Sequence, residues 1–215
     1  NPIVDGWVIP EDPRKLYAAG KIHQVPMITG VNADEGTMFT QMGADRFDTV
    51  EKYRAFLTEK FGDEAAAIFD RYPAATDADA PAAIADLSTD QRMALPARSH
   101  ARLLSQAGIA NWSYFFNHVP PWRGGRKMGA HHGAEIPYIF GSGVKCGQFG
   151  PYPNAAEQKL SEVMIGYWTN FAATGDPNGP GLPYWPGFEP DTGSYMELGG
   201  DVRAGTGLLK PKLDF

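Results

Sequence analysis

Apolar positions recur at helical spacing in several stretches of the chain. The clearest stretch predicts a long helix, ended by Gly175, whose single apolar stripe is formed by Leu160, Val163, Met164, Tyr167, Trp168 and Phe171. Shorter patterns predict helices from residue 48 to the glycine at 62, over 63–72 and over 95–107. Residues 74–82 have only a weak pattern, and we expect a mobile excursion there.

Three short segments predict strands: residues 25–31, 111–116 and 195–198. Residues 25–31 are apolar without alternation, as in a parallel sheet that is buried on both faces, and residues 111–116 are rich in aromatic side chains. The order of strand, helices, strand and helix predicts the C-terminal part of an α/β sheet. No internal repeat divides the chain, so we expect residues 1–215 to belong to one domain.

Composition narrows the classes of protein. Apolar residue types make up 43% of the 215 residues and charged types 20%, which excludes a disordered or fibrous chain. The formal net charge is −6 and no basic stripe is visible, so nucleic acid is not expected as a partner. The single cysteine, Cys146, excludes an intrachain disulfide, and no apolar run approaches the roughly 18 residues of a membrane span.

Ionisable residues gather in a first loop, Asp34-Glu35-Gly36, directly after the strand predicted at 25–31. In open α/β sheets, sites form at the carboxyl ends of strands, so a carboxylate in this loop is well placed for chemistry. The alternative is structural: Asp34 or Glu35 caps a helix that starts near Thr37, because acidic side chains favour helix N-termini.

A second loop contains His131, His132 and Glu135. Neighbouring histidines point in different directions, and the spacing differs from the helical His-Glu-x-x-His zinc motif, so no metal is expected. An imidazole on a loop is the usual general base because its ordinary pKa lies near neutrality. The structural alternative is two surface histidines followed by a glutamate that caps a short helix.

The two loops together suggest a relay in which a carboxylate orients an imidazole and the imidazole activates a nucleophile. In α/β-hydrolases the chain order is serine, acid, histidine, and Glu35 followed by His132 fits the last two positions. The nucleophile should then precede Glu35, but all seven serines follow it and none lies in a Gly-x-Ser-x-Gly turn. Cys146 follows His132, which is the wrong order for a substitute nucleophile.

Four segments carry distinctive motifs: residues 2–6, the strand and acidic loop at 25–36, the histidine loop at 130–141, and residues 168–178 with the segment just after them. In this order they resemble the type-B carboxylesterase/cholinesterase family of α/β-hydrolases. The resemblance runs along nearly the whole chain. Because its single cysteine allows no intrachain disulfide, the chain resembles the bacterial, p-nitrobenzyl-esterase-like branch of this family.

The resemblance implies an α/β fold, namely an incomplete C-terminal portion of an α/β-hydrolase with a mostly parallel sheet flanked by helices. It implies that Glu35 is the acid of a catalytic triad and His132 its base. Met38 and Phe39 match positions that line the acyl or alcohol pocket of the family. Metal and cofactor are not implied.

The resemblance also assigns supporting roles. Asp34 matches a position that holds the acid loop, and Glu135 matches one that holds the helix after the base. Trp122 and Phe140 could form further walls of the pocket, but packing in the core is the expected role of each.

The function implied is that of a serine carboxylesterase, which hydrolyses a small-molecule carboxylic ester through an acyl-enzyme. The N-terminal part of the same enzyme is the implied partner, since it would supply the serine and the oxyanion hole, and this chain alone is expected to be inactive. The chain starts without Met, so we expect a nicked product or an incomplete sequence, and localisation is not assigned. The alternative is a non-catalytic cholinesterase-like adhesion or binding domain, but such a domain has no need for both Glu35 and His132.

Overall fold

The computed structural model describes residues 3–41, 46–121, 125–142 and 154–208. Its strands are β1 (Met27–Asn32), β2 (Asn111–Phe116), β3 (Tyr195–Leu198) and β4 (Val202–Gly205). The α-helices are α1 (Pro13–Ala18), α2 (Glu35–Gln41), α3 (Val50–Phe61), α4 (Ala65–Arg71), α5 (Ala80–Thr89), α6 (Leu95–Gln106), α7 (Gly125–Met128), α8 (Ile136–Ile139) and α9 (Ala155–Thr174). Short 3₁₀ turns at Gly62–Glu64 and Asp77–Asp79 precede α4 and α5, and a π-helical turn at Asp90–Ala94 joins α5 to α6.

The strands form one sheet in the order β1-β2-β3-β4. β1 pairs with β2 in parallel, with Met27 opposite Asn111, and β2 pairs with β3 in parallel. This confirms the three predicted strands. β4 was not predicted; it is a four-residue strand that returns antiparallel to β3, and none of its four residues is fully buried.

One hydrophobic core lies between the sheet and α9, and we call it the sheet core. The stripe predicted on α9 is buried there at Leu160, Val163, Met164 and Tyr167. Trp185 is fully buried in the same core and donates its indole N–H to the carbonyl oxygen of Ser113 at 3.0 Å. Ala130, Ala134 and Tyr138, from the predicted histidine loop and α8, belong to this core as well.

A second core, which we call the helical cluster, lies among α3, α4 and α5. Its buried residues are Tyr53, Leu57, Ile68, Tyr72, Ala74, Ala80, Ala83, Ile84 and Leu87. The prediction of a mobile excursion over 74–82 missed a 3₁₀ turn at 77–79 and the start of α5, which begins at residue 80 with Pro81 in its first turn. Alanine supplies three of the six buried residues of α5, so the sequence shows few of the large apolar residues that usually mark an amphipathic helix.

Some sequence predictions concern exposed or undescribed positions. Phe140 is 75% exposed, so its predicted role in core packing was wrong. Trp122 and Cys146 lie outside the described residues. Within the described ranges, no helix combines the length and the apolar character that crossing a membrane requires.

Candidate active site

Glu35 is the first residue of α2 and lies just beyond the carboxyl end of β1. Its side chain is buried, and its Oε1 accepts a hydrogen bond of 2.9 Å from the backbone N–H of Asn32. This bond turns the carboxylate back across the end of the strand. The other oxygen, Oε2, is thereby aimed at the histidine loop.

His132 lies on the turn that leads into α8, and its Nδ1 is 2.6 Å from Glu35 Oε2. The carboxylate can only accept, so this contact assigns the imidazole proton to Nδ1 and leaves a lone pair on Nε2. The imidazole side chain is 48% exposed, whereas the Glu35 side chain is only 8% exposed. A buried acid therefore orients a histidine whose other nitrogen is open to a reacting group, which is the geometry of a general base.

Asp34 ties the acid loop to the histidine loop. Its backbone N–H donates to the carbonyl oxygen of Ala130 at 3.0 Å, and its Oδ2 accepts from the Ala130 N–H at 2.8 Å. Gly129 has a φ of +70°, and a Cβ there would lie only 2.2 Å from Asp34 Oδ2, so this approach requires glycine. The side chains of Asp34 and Glu35 thus bond across to the histidine loop, which disfavours the capping alternative.

Asn32 is a second link between the loops, and the sequence reasoning missed it. It is fully buried, and its Nδ2 donates to the carbonyl oxygen of His131 at 2.8 Å and to Glu135 Oε2. Glu135 makes no side-chain capping bond at α8, so it acts through Asn32 and not as a helix cap. The available signal was a polar residue at the end of an otherwise apolar strand.

The helical cluster fixes the start of α2. The backbone N–H of Gly36 donates to Thr89 Oγ1 at 2.8 Å, and Thr89 Oγ1 donates to the carbonyl oxygen of Ala85 at 3.0 Å. A Cβ at Gly36 would lie 2.0 Å from that carbonyl oxygen, so α2 and α5 approach closely only because residue 36 is glycine. Thr89 lies on an element that the sequence did not predict, and its role was therefore missed.

The two predicted pocket residues differ in position. The Phe39 ring packs against the His132 ring with a centroid separation of 5.5 Å and an interplanar angle of 41°. Met38 is 42% exposed on the same helix. Phe39 therefore forms a wall beside the imidazole, and Met38 is an exposed apolar side chain on the same helix.

Tyr114 lies close enough to Glu35 and Glu135 to feel their charges, and it was not predicted as a site residue. Its ring fills the space opposite Gly30 in the β1–β2 register, where a Cβ would lie 2.3 Å from the ring. Burial, and then the charges of Glu135 and Glu35, raise the pKa of Tyr114 well above its ordinary value. The phenol therefore stays neutral and adds no charge to the site.

His131 and His132 face different surroundings. The His131 ring is buried, and its Nδ1 lies 3.0 Å from the carbonyl oxygen of His132. In the part of the chain that the structure describes, no group of three or more His, Cys, Asp or Glu side chains is arranged to hold a metal ion. The chemistry that these residues offer is proton transfer at His132 Nε2.

The comparisons with known proteins agree with this geometry. The model of the carboxylesterase family matches residues 1–215. The chain is similar to the fumonisin B1 esterase of Sphingopyxis macrogoltabida, with 38% identity over 97% of this chain and 38% of that protein. It is also similar to the bovine carboxylesterase 4A, with 31% identity over 100% of this chain and 41% of that protein.

A third relative is the human cocaine esterase, with 32% identity over 99% of this chain and 40% of that protein. The chain thus spans about two fifths of the length of these relatives. The family match and the mixed sheet flanked by helices confirm the predicted fold class, that of part of an α/β-hydrolase. The resemblance of the motifs is likewise confirmed, and the chain belongs to the type-B carboxylesterase family.

Proposed function

We propose that this chain supplies the acid and the base of a serine carboxylesterase. The observation that carries the proposal is the 2.6 Å contact between Glu35 Oε2 and His132 Nδ1. Membership of the carboxylesterase family supports ester hydrolysis as the reaction. The substrate is a small-molecule carboxylic ester, for which Phe39 provides an apolar wall beside the imidazole and Met38 provides exposed apolar surface on the same helix.

In the proposed reaction, His132 Nε2 takes the proton of a serine hydroxyl while the serine oxygen attacks the ester carbonyl. Glu35 holds the imidazole in the correct orientation and stabilises the imidazolium that forms. The imidazolium then gives its proton to the departing alkoxide, which leaves as the alcohol. Water repeats the cycle on the acyl-serine and releases the carboxylic acid.

The serine and the oxyanion donors come, in this proposal, from an N-terminal part of the same enzyme. Among the described residues, no serine hydroxyl forms a hydrogen bond with His132, and no Gly-x-Ser-x-Gly turn occurs in the sequence. We therefore expect this chain alone to hydrolyse no esters.

The edge of the sheet suggests where the N-terminal part would dock. In the described sheet, β1 pairs only with β2, and β1 is the strand that leads into the acid loop. An unpaired strand edge offers a row of backbone hydrogen-bonding groups to a further strand. A strand placed there would end beside Glu35 and His132, where a nucleophile is needed.

The test uses the completed enzyme, by which we mean this chain joined to the N-terminal part of the same polypeptide. Hydrolysis of short-chain p-nitrophenyl esters is measured for the wild type, for His132→Ala and for the control His131→Ala. We expect His132→Ala to lower kcat by about 10³-fold or more, because the general base is lost. His131→Ala removes the neighbouring imidazole and should retain activity if it folds.

Equal rates for the wild type and His132→Ala would contradict the proposal. A wild type without any hydrolysis of esters would instead favour the non-catalytic binding domain. The sequence of the N-terminal part distinguishes the two functions independently, since only the enzyme requires a Gly-x-Ser-x-Gly turn.

A further inference from the structure

Arg92 lies beside the candidate active site but takes no part in the proposed proton transfers. It is exposed on the π-helical turn that joins α5 to α6. Its guanidinium carbon is 5.3 Å from the centroid of the Phe39 ring, and the centroid of the His132 ring lies 5.5 Å from the same Phe39 centroid. Arg92 is therefore one aromatic ring away from the imidazole. Turns of this kind within α-helices are frequent at functional sites.

The charge of Arg92 has no acidic partner in the described part of the chain, since no salt bridge there includes it. Asp90, which precedes it on the same turn, is buried and accepts from the hydroxyl of Tyr72 at 2.9 Å. Asp90 thus points into the helical cluster and leaves Arg92 facing solvent beside Phe39.

A second cation strengthens the positive field. The Lys60 ammonium bonds to the side-chain oxygen of Gln91, and burial together with the charge of Arg92 lowers the pKa of Lys60. No described carboxylate neutralises Lys60 by a salt bridge either. Arg92 and Lys60 are thus close enough for their charges to interact, and they form a local positive patch in a chain with a formal net charge of −6.

We propose that Arg92 determines specificity by binding a carboxylate of the substrate, so that the preferred esters carry a free carboxylate a few carbons from the ester group. The planar guanidinium can donate two parallel hydrogen bonds to a carboxylate, and it lies within cation–π distance of Phe39. This inference rests on the proposed function, because it assigns a substrate class to the same site.

Arg54 provides a matched comparison within the chain. It is also exposed and stacks on a phenylalanine, with its guanidinium carbon 3.4 Å from the centroid of the Phe69 ring. Phe69 packs on the helical cluster, whereas Phe39 packs on His132. Replacing Arg54 therefore removes the same charge and the same kind of stacking without touching the candidate site.

The test measures kcat/KM in the completed enzyme with two pairs of esters. On the acyl side, the p-nitrophenyl monoester of adipic acid, which carries a carboxylate, is compared with the p-nitrophenyl ester of adipamic acid, which carries a neutral amide in its place. On the alcohol side, the acetate ester of ω-hydroxyhexanoate is compared with that of the neutral ω-hydroxyhexanamide. The variants are Arg92→Gln, Arg92→Lys and the control Arg54→Gln.

We expect the wild type to prefer the carboxylate ester in at least one pair. Arg92→Gln should lower kcat/KM for that ester about fivefold or more, as the loss of a partly exposed ion pair does, and leave its neutral partner within about twofold. Arg92→Lys should retain part of the preference, and Arg54→Gln all of it.

Hydrolysis of all the esters without a preference for carboxylate in either pair would overturn this inference and leave the proposed function intact. A preference that survives in Arg92→Gln would also overturn it. If none of the esters is hydrolysed in a His132-dependent way, the proposed function fails and the inference fails with it.

Discussion

The sheet core and the helical cluster each carry one half of the candidate relay. The histidine loop is anchored in the sheet core, where Ala130, Ala134 and Tyr138 are buried around His132. The acid helix α2 is instead held against α5 by the close approach at Gly36 and by Thr89. The contact between Glu35 and His132 therefore joins two separately packed regions.

This difference explains the number of polar links between the loops. Two cores packed by apolar side chains alone do not fix the relative position of two atoms to a few tenths of an ångström. The two hydrogen bonds between Asp34 and Ala130, one from the Asp34 backbone and one to its side chain, supply that precision together with the amide of Asn32. Substitutions at the contact between Glu35 and His132, on the side of the helical cluster and on the side of the sheet core should therefore affect activity and stability differently.

The largest effect is expected from Glu35→Gln, which keeps the shape of the side chain but removes the charge that joins the two regions. We expect kcat in the completed enzyme to fall by about 10³ to 10⁴, because the amide no longer selects the correct imidazole tautomer or stabilises the imidazolium. Glu135→Gln is the matched control, since Glu135 contacts Asn32 but not His132. Steady-state kinetics would contradict the account if both variants lost activity equally.

Gly36→Ala tests the helical side. Its Cβ would lie 2.0 Å from the backbone oxygen of Ala85, and a backbone atom cannot rotate away, so we expect a loss of about 3 kcal/mol in the free energy of unfolding. Gly200→Ala is the control, because a Cβ there meets nothing within 4 Å. Denaturant unfolding of the completed enzyme should separate the two variants. Equal midpoints would show that α2 does not depend on α5.

Asp34→Ala tests the link to the sheet side. It removes the charged acceptor of the Ala130 N–H, and we expect a cost of about 2 kcal/mol in the free energy of unfolding. We also expect kcat to fall about tenfold, because the histidine loop is less firmly placed. Asp191→Ala removes an exposed carboxylate for comparison. Unchanged kcat in a destabilised Asp34→Ala variant would mean that the histidine loop holds its position without Asp34.

Thr89→Val should have the smallest effect. It keeps the shape of the side chain but leaves the Gly36 N–H without its acceptor, which costs about 1.5 kcal/mol in the free energy of unfolding. Thr89→Ser keeps the oxygen and should recover most of that loss. If valine and serine destabilise the enzyme equally, packing of the methyl group and not the hydrogen bond holds α2.

The sequence indicated the parts of the site that depend on local pattern and chain order. The strand before Glu35, the order of Glu35 and His132, and the stripe on α9 are all visible along the chain. Thr89 and Arg92 could not be identified in this way, because their roles depend on partners brought together by packing. Asn32 gave only the signal of a polar residue at the end of an apolar strand, which does not reveal its partners. Helix α5 was missed because alanine gives little amphipathic contrast, and the roles of Thr89 and Arg92 were missed with it.

The most direct test of the relay is a double-mutant cycle between Glu35→Gln and His132→Ala in the completed enzyme. If Glu35 acts only through His132, the double variant should lose no more kcat for p-nitrophenyl esters than His132→Ala alone. Losses that multiply, so that the double variant is slower by the product of the two single effects, would contradict the claim that the two residues work as one unit.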